Sequence, residues 1–309
     1  MPIKWRSKII LAKIEAVYGT DSAPAAGNGI LARNVSFEPM AGEDVSRELE
    51  RPYLGAQPEI PTGLRAVLAF ETELQGSGAA GTPPAWGVLA RGAALSEVIA
   101  AGVSVTYAPV SDAMESVSIY FWTGDTRHVL LGCRGTGIVT LNAQGIPVVR
   151  WTFTGLWAAP SEQARVNPNL AGFIAPAVAT KANTPTFTVD GVALVLRSFT
   201  FDFGNQVEPR LLIGREEILI VDKAEAISAQ VEAVALTTFH PLALAQAQTQ
   251  VPVSLVHGTA AGRIVTLSAP AAQLKRLSGY ENNQDILEWP LRLAPLPDAG
   301  NDQFSITLT

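Results

Sequence analysis

The sequence predicts a mainly β protein made of two similar β-sandwich units, each with a flanking helix, arising by internal duplication. Three observations carry that expectation. The stretch Val117 to Trp157 alternates branched and aromatic residues with polar ones between Gly, Asn and Pro. That is the sequence form of half-buried antiparallel strands closed by turns. Parts of it then recur in the same order: Val117-x-Ile-x-Phe-x-x-Gly124 as Val251-x-Val-x-Leu-x-x-Gly258, Ile138-Val-Thr-Leu141 as Ile264-Val-Thr-Leu267, and Trp151 as Trp289. Finally, both halves keep the order strand, long loop, strand, helix, hairpin.

In chain order, residues 1–28 read as an arm, with a short strand over Ile9–Ile14 followed by turn-forming residues. Ile30–Phe37 and Leu64–Leu74 read as strands. In the second, Leu64, Ala66, Leu68, Phe70 and Leu74 share one face, while Arg65, Glu71 and Glu73 share the other. Met40–Gly63 reads as one long charged connection, either a solvated hairpin or a contact arm for another subunit. Thr82–Ala100 has helical spacing, with a capping Thr and prolines in its first turn. Residues 158–185 lack periodicity and read as a linker, so the predicted organisation is 1–157 for the first unit with its arm and 186–309 for the second. In the second unit Leu194–Asp202 repeats Ile30–Glu38, with Arg197 for Arg33. Arg210 falls opposite Arg47, Ile227–Ala235 repeats the Leu64–Thr72 face, and Pro241–Gln248 takes the place of the helix.

Composition narrows the function. Of 309 residues, 48% are hydrophobic and 16% charged, so a folded core is expected, and the net charge of −6 argues against a nucleic-acid binder with a basic patch. A single cysteine excludes an intrachain disulfide and a multi-cysteine metal site. Neither a signal-peptide pattern nor a membrane-length apolar run is expected, which predicts synthesis in the cytoplasm. The three histidines are not spaced as metal ligands or beside a nucleophile. Gly132-Cys-Arg-Gly-Thr-Gly137 precedes a strand and not a helix, so it reads as a bulge or a close backbone approach rather than a phosphate cradle. No enzyme and no cofactor are predicted. Each unit has too few strands to close a barrel, so open edges remain, and such edges suit head-to-tail assembly into rings and filaments.

At this point the chain resembles the tail tube (major tail) proteins of long-tailed, non-contractile bacteriophages. The hairpin Gly135–Gly155 carries most of the likeness, with the N-terminal arm and the Arg47–Gly55 loop in support. The resemblance implies a structural virion protein: stacked rings, a lumen through which genomic double-stranded DNA passes without sequence recognition, and contacts with terminator, distal tail and tape-measure proteins. Two units per chain imply a trimeric ring with pseudo-six-fold symmetry. Ring-to-ring contacts are expected at Arg47, Glu48, Glu50, Arg51 and Tyr53, and at Arg210, Arg215, Glu216 and Glu217. A negative lumen is expected, with Glu71, Glu73 and Glu232 as candidate lining acids. The alternative is a two-domain β-sandwich adhesion or carbohydrate-binding module, which would present exposed aromatic platforms.

Overall fold

The computed structural model describes residues 4–309; residues 1–3 of the predicted arm lie outside the described residues. The first half holds β1 (Lys8–Ile14), β2 (Gly29–Ile30), β3 (Arg33–Ser46), β4 (Glu59–Glu73), helix α1 (Gly87–Gly92), β5 (Leu95–Ala100), β6 (Ser104–Pro109), β7 (Val117–Thr123), β8 (Thr126–Asn142), β9 (Val148–Trp157) and β10 (Ser161–Glu162). There follow β11 (Thr186–Val189), β12 (Val192–Ala193), β13 (Leu196–Asp202), β14 (Asn205–Leu212), β15 (Arg215–Lys223) and β16 (Ala226–Glu232). Helix α2 (Pro241–Ala247), β17 (Gln250–His257), β18 (Val265–Leu274), β19 (Glu281–Asn283), β20 (Ile286–Pro295) and β21 (Ser305–Leu308) complete the chain. The protein is mainly β, with antiparallel sheets in a sandwich.

The stretch Val117 to Trp157 forms three strands, β7, β8 and β9. β8 runs unbroken through the Gly132–Gly137 segment and serves both layers. Its first part pairs with β7, and Ile138–Asn142 pair with Ser198–Asp202 of β13, while β9 holds the opposite edge. The change of layer falls at a bulge, where the register with β9 shifts between Leu131 and Arg134. Gly132 has φ +58° there, and a Cβ on it would lie 2.6 Å from the Tyr18 hydroxyl, so only glycine fits. The bulge reading of these glycines therefore holds.

Successive pairings lay β3, β4, β9, β8, β13, β16, β20 and β18 side by side in one sheet that crosses from the first half into the second. In the first half β1 pairs with β2 and β7, β3 with β4, β4 with β9, and β8 with β7 and β9. In the second, β11 pairs with β12 and β17, β13 with β16, β16 with β20, and β18 with β17 and β20. The four-letter echo does not take part in this correspondence. Ile138–Leu141 pairs with β9 and β13, whereas Val265–Leu267 pairs with β17 and β21.

Two element predictions are corrected. The helix is six residues, not nineteen. Trp86, Leu89, Ala90, Ala93 and Ala94 are buried as the helical spacing requires, but Ala94 at φ +56° ends the turn. Leu95–Ala100 then pairs residue by residue with β6, and Val98 is exposed. β-branched residues with a partner strand outweigh weak helical spacing. The Met40–Gly63 connection is likewise half strand: β3 and β4 continue into it as far as Ser46 and Glu59 and make it a hairpin.

Most buried apolar side chains form one contiguous core from Ile10 to Leu308, instead of one core per half, and Leu11, Tyr120 and Trp122 make a small cluster apart from it. Aromatics join the halves, with Trp151 6.0 Å from Phe203 and Phe203 5.8 Å from Phe304 between ring centres. Two indole N–H groups of this core find acceptors: Trp151 donates to Thr72 Oγ1 (2.9 Å) and Trp86 to the Gln75 carbonyl (2.8 Å). The linker residues run back over the first half, where β10 pairs with the start of β8.

Candidate assembly surfaces

Alternation decides what the long sheet shows on its two faces. Leu68, Phe70, Val139, Trp151, Phe153, Phe199, Phe201, Ala229 and Leu291 point into the core. The opposite face therefore carries the residues between them. Across the joint the register aligns Arg292, Ser228, Thr200, Thr140, Val148 and Glu73 in one row. The next row holds Asp202, Ile138, Arg150, Glu71 and Arg33. Small polar side chains line the middle of this face at the joint, charged ones of both signs lie among them, and neither helix covers it, since both pack with the core side.

The three predicted lining acids fall on it. Glu71 is tied: Arg33 Nε lies 2.9 Å from its Oε2, and Asn34 donates to the same oxygen at 2.8 Å. Glu73 is half-buried and Glu232 exposed, and neither forms an ion pair among the described residues. Beside Glu232 the register places Glu288. Its carboxylate takes Arg197 Nε at 2.6 and 2.8 Å and Asn283 at 3.0 Å, and the Arg197 bond holds its pKa below the usual carboxylate range.

The predicted contact residues lie on two hairpins. Arg47, Glu48, Glu50, Arg51 and Tyr53 are all exposed in the tip between β3 and β4, and Leu54 beside them is wholly exposed. A reciprocal pair closes this tip: Leu49 N–H donates to Gln57 Oε1 (2.6 Å) and Gln57 Nε2 to the Leu49 carbonyl (2.7 Å). The second hairpin, β14–β15, presents Arg210, Arg215 and Glu216 to solvent. Its turn lies against Pro61–Leu64 of β4, so the two hairpins stand side by side. Glu217 differs from the other eight residues. It is buried and engaged within the chain by Arg134 and Arg215.

The base of the second hairpin is clamped to the first half by residues that the sequence did not single out. Arg134 donates to the carbonyls of Ile218 (2.8 Å) and Met114 (3.0 Å) and lies over the Tyr18 ring, whose hydroxyl accepts from Ile218 N–H at 2.6 Å. Asn205 bridges the carbonyls of Ala93 and Gly135, and Lys223 those of Ala94 and Val110. Burial lowers the Lys223 pKa to about 8. The histidines have structural partners: His257 Nδ1 is 2.9 Å from Thr184 Oγ1, and His240 Nδ1 accepts from Ala243 N–H at the start of α2. Burial lowers the pKa of His128 and of His257. No group of three or more metal-ligating side chains occurs among the described residues.

Two strand edges stay open. At the two ends of the long sheet, β3 pairs only with β4 and β19 only with β20 among the described residues. Open edges, a small-polar sheet face and exposed charged arms are the equipment of a structural protein that joins others, not of a catalyst. The comparison with known families agrees: the chain belongs to the phage tail tube protein family, which it matches over residues 5–309. It is therefore a component of the virion tail, in a structural family that is not one of enzymes. Membership implies self-assembly into a tube with other tail proteins. No helix among the described residues is long and apolar enough to cross a membrane. Comparison with curated proteins gives no match.

Proposed function

We propose that this chain is the ring-forming subunit of the tail tube, with three chains per ring, two duplicated units per chain, and genomic DNA passing along the small-polar face of the long sheet during ejection. The units are residues 1–157 and 186–309, joined by 158–185. The observation that carries the reading is the β8–β13 joint, which continues the sheet from one half into the other without a break. Six pairings in the first half have counterparts in the second, and this supports duplication. In that correspondence the free edge of β3 plays the part of β13, and β19 that of the end of β8, since Glu281–Asn283 pair with Ile286–Glu288 as Ile138–Thr140 pair with Val148–Arg150. One chain's edge thus fits the next chain's, head to tail, and the series closes as a ring.

Size supports three chains over six. Each chain contributes eight strands to the sheet, so three make a closed sheet of about 24. At ~4.8 Å per strand, allowing for tilt, the backbones enclose a bore roughly 40 Å across. Side chains then leave a passage wider than a DNA duplex but not by a wide margin. Six chains would double the bore. With Glu71 tied to Arg33, the acids Glu73, Glu232 and Asp202 stand against Arg150 and Arg292 on the same face, so the lining keeps a small excess of negative charge, which favours sliding over binding.

The two hairpins, with Arg47, Glu48, Glu50, Arg51 and Tyr53 on one and Arg210, Arg215 and Glu216 on the other, make the contacts between stacked rings. Terminator, distal tail and tape-measure proteins meet the tube at its ends and in its bore. Electron cryo-microscopy of assembled tubes tests the arrangement. Three chains per ring with pseudo-six-fold symmetry is the expected result, and six whole chains per ring would overturn it.

A further inference from the structure

We propose that the apolar patch of Leu236, Leu242, Tyr280, Ile286 and Leu287 is a docking surface for a second copy of this chain, which covers it with its segment Lys4–Ser7 and anchors there through Trp5. The inference rests on the ring reading above and names the contact that reading leaves open. The patch lines a groove of about 420 Å³ between α2, the β19–β20 hairpin and the residues after β16. Its side chains are exposed to an unusual degree, with Ile286 at 51%, Leu287 at 50% and Tyr280 at 60%. A cluster of that kind marks a contact surface.

The first half shows what covers such a place. β9 starts with Val148 and Val149 where β20 starts with Ile286 and Leu287, yet both valines are buried. The chain's own approach to the second half lies against the turn that leads into them. Ala179 accepts from Gln144 N–H and donates to the Gly145 carbonyl, both at 2.8 Å, and Ala179 itself is buried. This approach segment is tied to its own unit by Gly258 N–H, which donates to the Asn183 carbonyl at 2.7 Å. The first half repeats that tie: Gly124 N–H donates to the Ser7 carbonyl at 3.1 Å. Lys4–Ser7 therefore leads into β1 as Thr180–Asn183 leads into β11. In a single chain, however, it has no preceding unit to cover.

Trp5 is what such a segment would need. It is 78% exposed, and Lys8 Nζ lies 3.9 Å from its ring centre. Buried tryptophans are common anchors of interfaces. Charges agree as well: Lys4 and Arg6 flank Trp5, while Glu281 and Asp285 stand beside Tyr280 and Ile286.

The test uses full-length Arg6→Cys and Asp285→Cys chains, which keep Trp5 and Ile286, purified separately, mixed, assembled and oxidised; the native Cys133 is buried and silent. A disulfide-linked dimer that forms in the mixture, and far less in either variant alone, is the expected result. Trp5→Ala should raise the concentration for half-assembly roughly tenfold or more, with unchanged circular dichroism of the isolated subunit. Rings by electron microscopy without the mixed cross-link overturn the docking proposal and leave the ring reading standing. A wild-type chain that stays monomeric at every concentration overturns both.

Discussion

Arg134 and Glu217 meet across the joint between the two halves, Nη1 3.4 Å from Oε1, with only 11% of each side chain exposed. They are not equal partners. Arg134 also holds the carbonyls of Ile218 and Met114, while Glu217 has Arg215 as a second, exposed cation. Replacing Arg134 by Met leaves two carbonyls without their donor and Glu217 with only its exposed partner Arg215, so a loss of about 3–5 kcal/mol is expected. Glu217→Gln keeps the shape and leaves Arg134 its two carbonyls, for a loss of about 1–2 kcal/mol. Urea unfolding of both variants checks the order. Equal losses would mean that the ion pair, and not the carbonyl clamp, holds the second hairpin to the first half.

Lys223 gives stability a pH dependence of opposite sign to that of the buried tyrosines. Burial lowers its pKa to about 8 in the folded chain against about 10.4 unfolded, so between these values the unfolded chain binds more protons. Stability should therefore rise from pH 8 towards pH 10. Tyr120 acts the other way. Burial and its bond to Asp21 raise its pKa to about 12, and the stability it contributes is lost as pH climbs from 10 to 12. Tyr107, buried and donating to Glu97, is raised as well and adds to the same loss. Urea midpoints across pH 7.5–11.5 should pass through a maximum near 10. In Lys223→Met the rising limb should vanish, although that variant is less stable throughout because Ala94 and Val110 lose a donor.

Thr140 and Thr200 lie directly opposite each other at the joint, on the small-polar face. If that face lines the bore, Thr140→Lys with Thr200→Lys puts six added cations around each ring of three chains. Tubes of the variant should retain duplex DNA, with an affinity that falls steeply with salt, while wild-type tubes retain none at ~0.15 M salt. Filter binding over a salt series measures this. Equal binding by both tubes would place the face elsewhere.

Alternation with period two was legible wherever a strand buries one face. That is why β4, β9, β13, β16, β17 and the faces of Glu71 and Glu73 could be read from the sequence. Pairing between distant strands was not legible in the same way. Ile138–Leu141 and Ile264–Leu267 are identical in sequence but have different neighbours, since a tetrapeptide carries no record of its partner. Leu95–Ala100 was misassigned for the same reason: its strand identity comes from β6, not from its own residues. Glu217 sits between Glu216 and Ile218 in a charged run, and only the bulge that turns Arg134 inward makes it a buried partner.

Arg51 tests the arms most directly. It stands in a fully exposed tip whose shape is set by the Leu49–Gln57 pair, not by Arg51 itself. Arg51→Glu should thus leave subunit stability within about 0.5 kcal/mol of wild type. At an interface between rings the same change sets like charges against each other, so tube yield by sedimentation should fall roughly tenfold or more. Salt should partly relieve the defect, because screening weakens repulsion between exposed charges. Replacing Leu54 by Ser should also lower tube yield, but without salt dependence, since its loss is apolar. If Arg51→Glu forms tubes at wild-type yield, stacking must run through Arg210, Arg215 and Glu216 on the neighbouring hairpin, and charge reversal there becomes the decisive change.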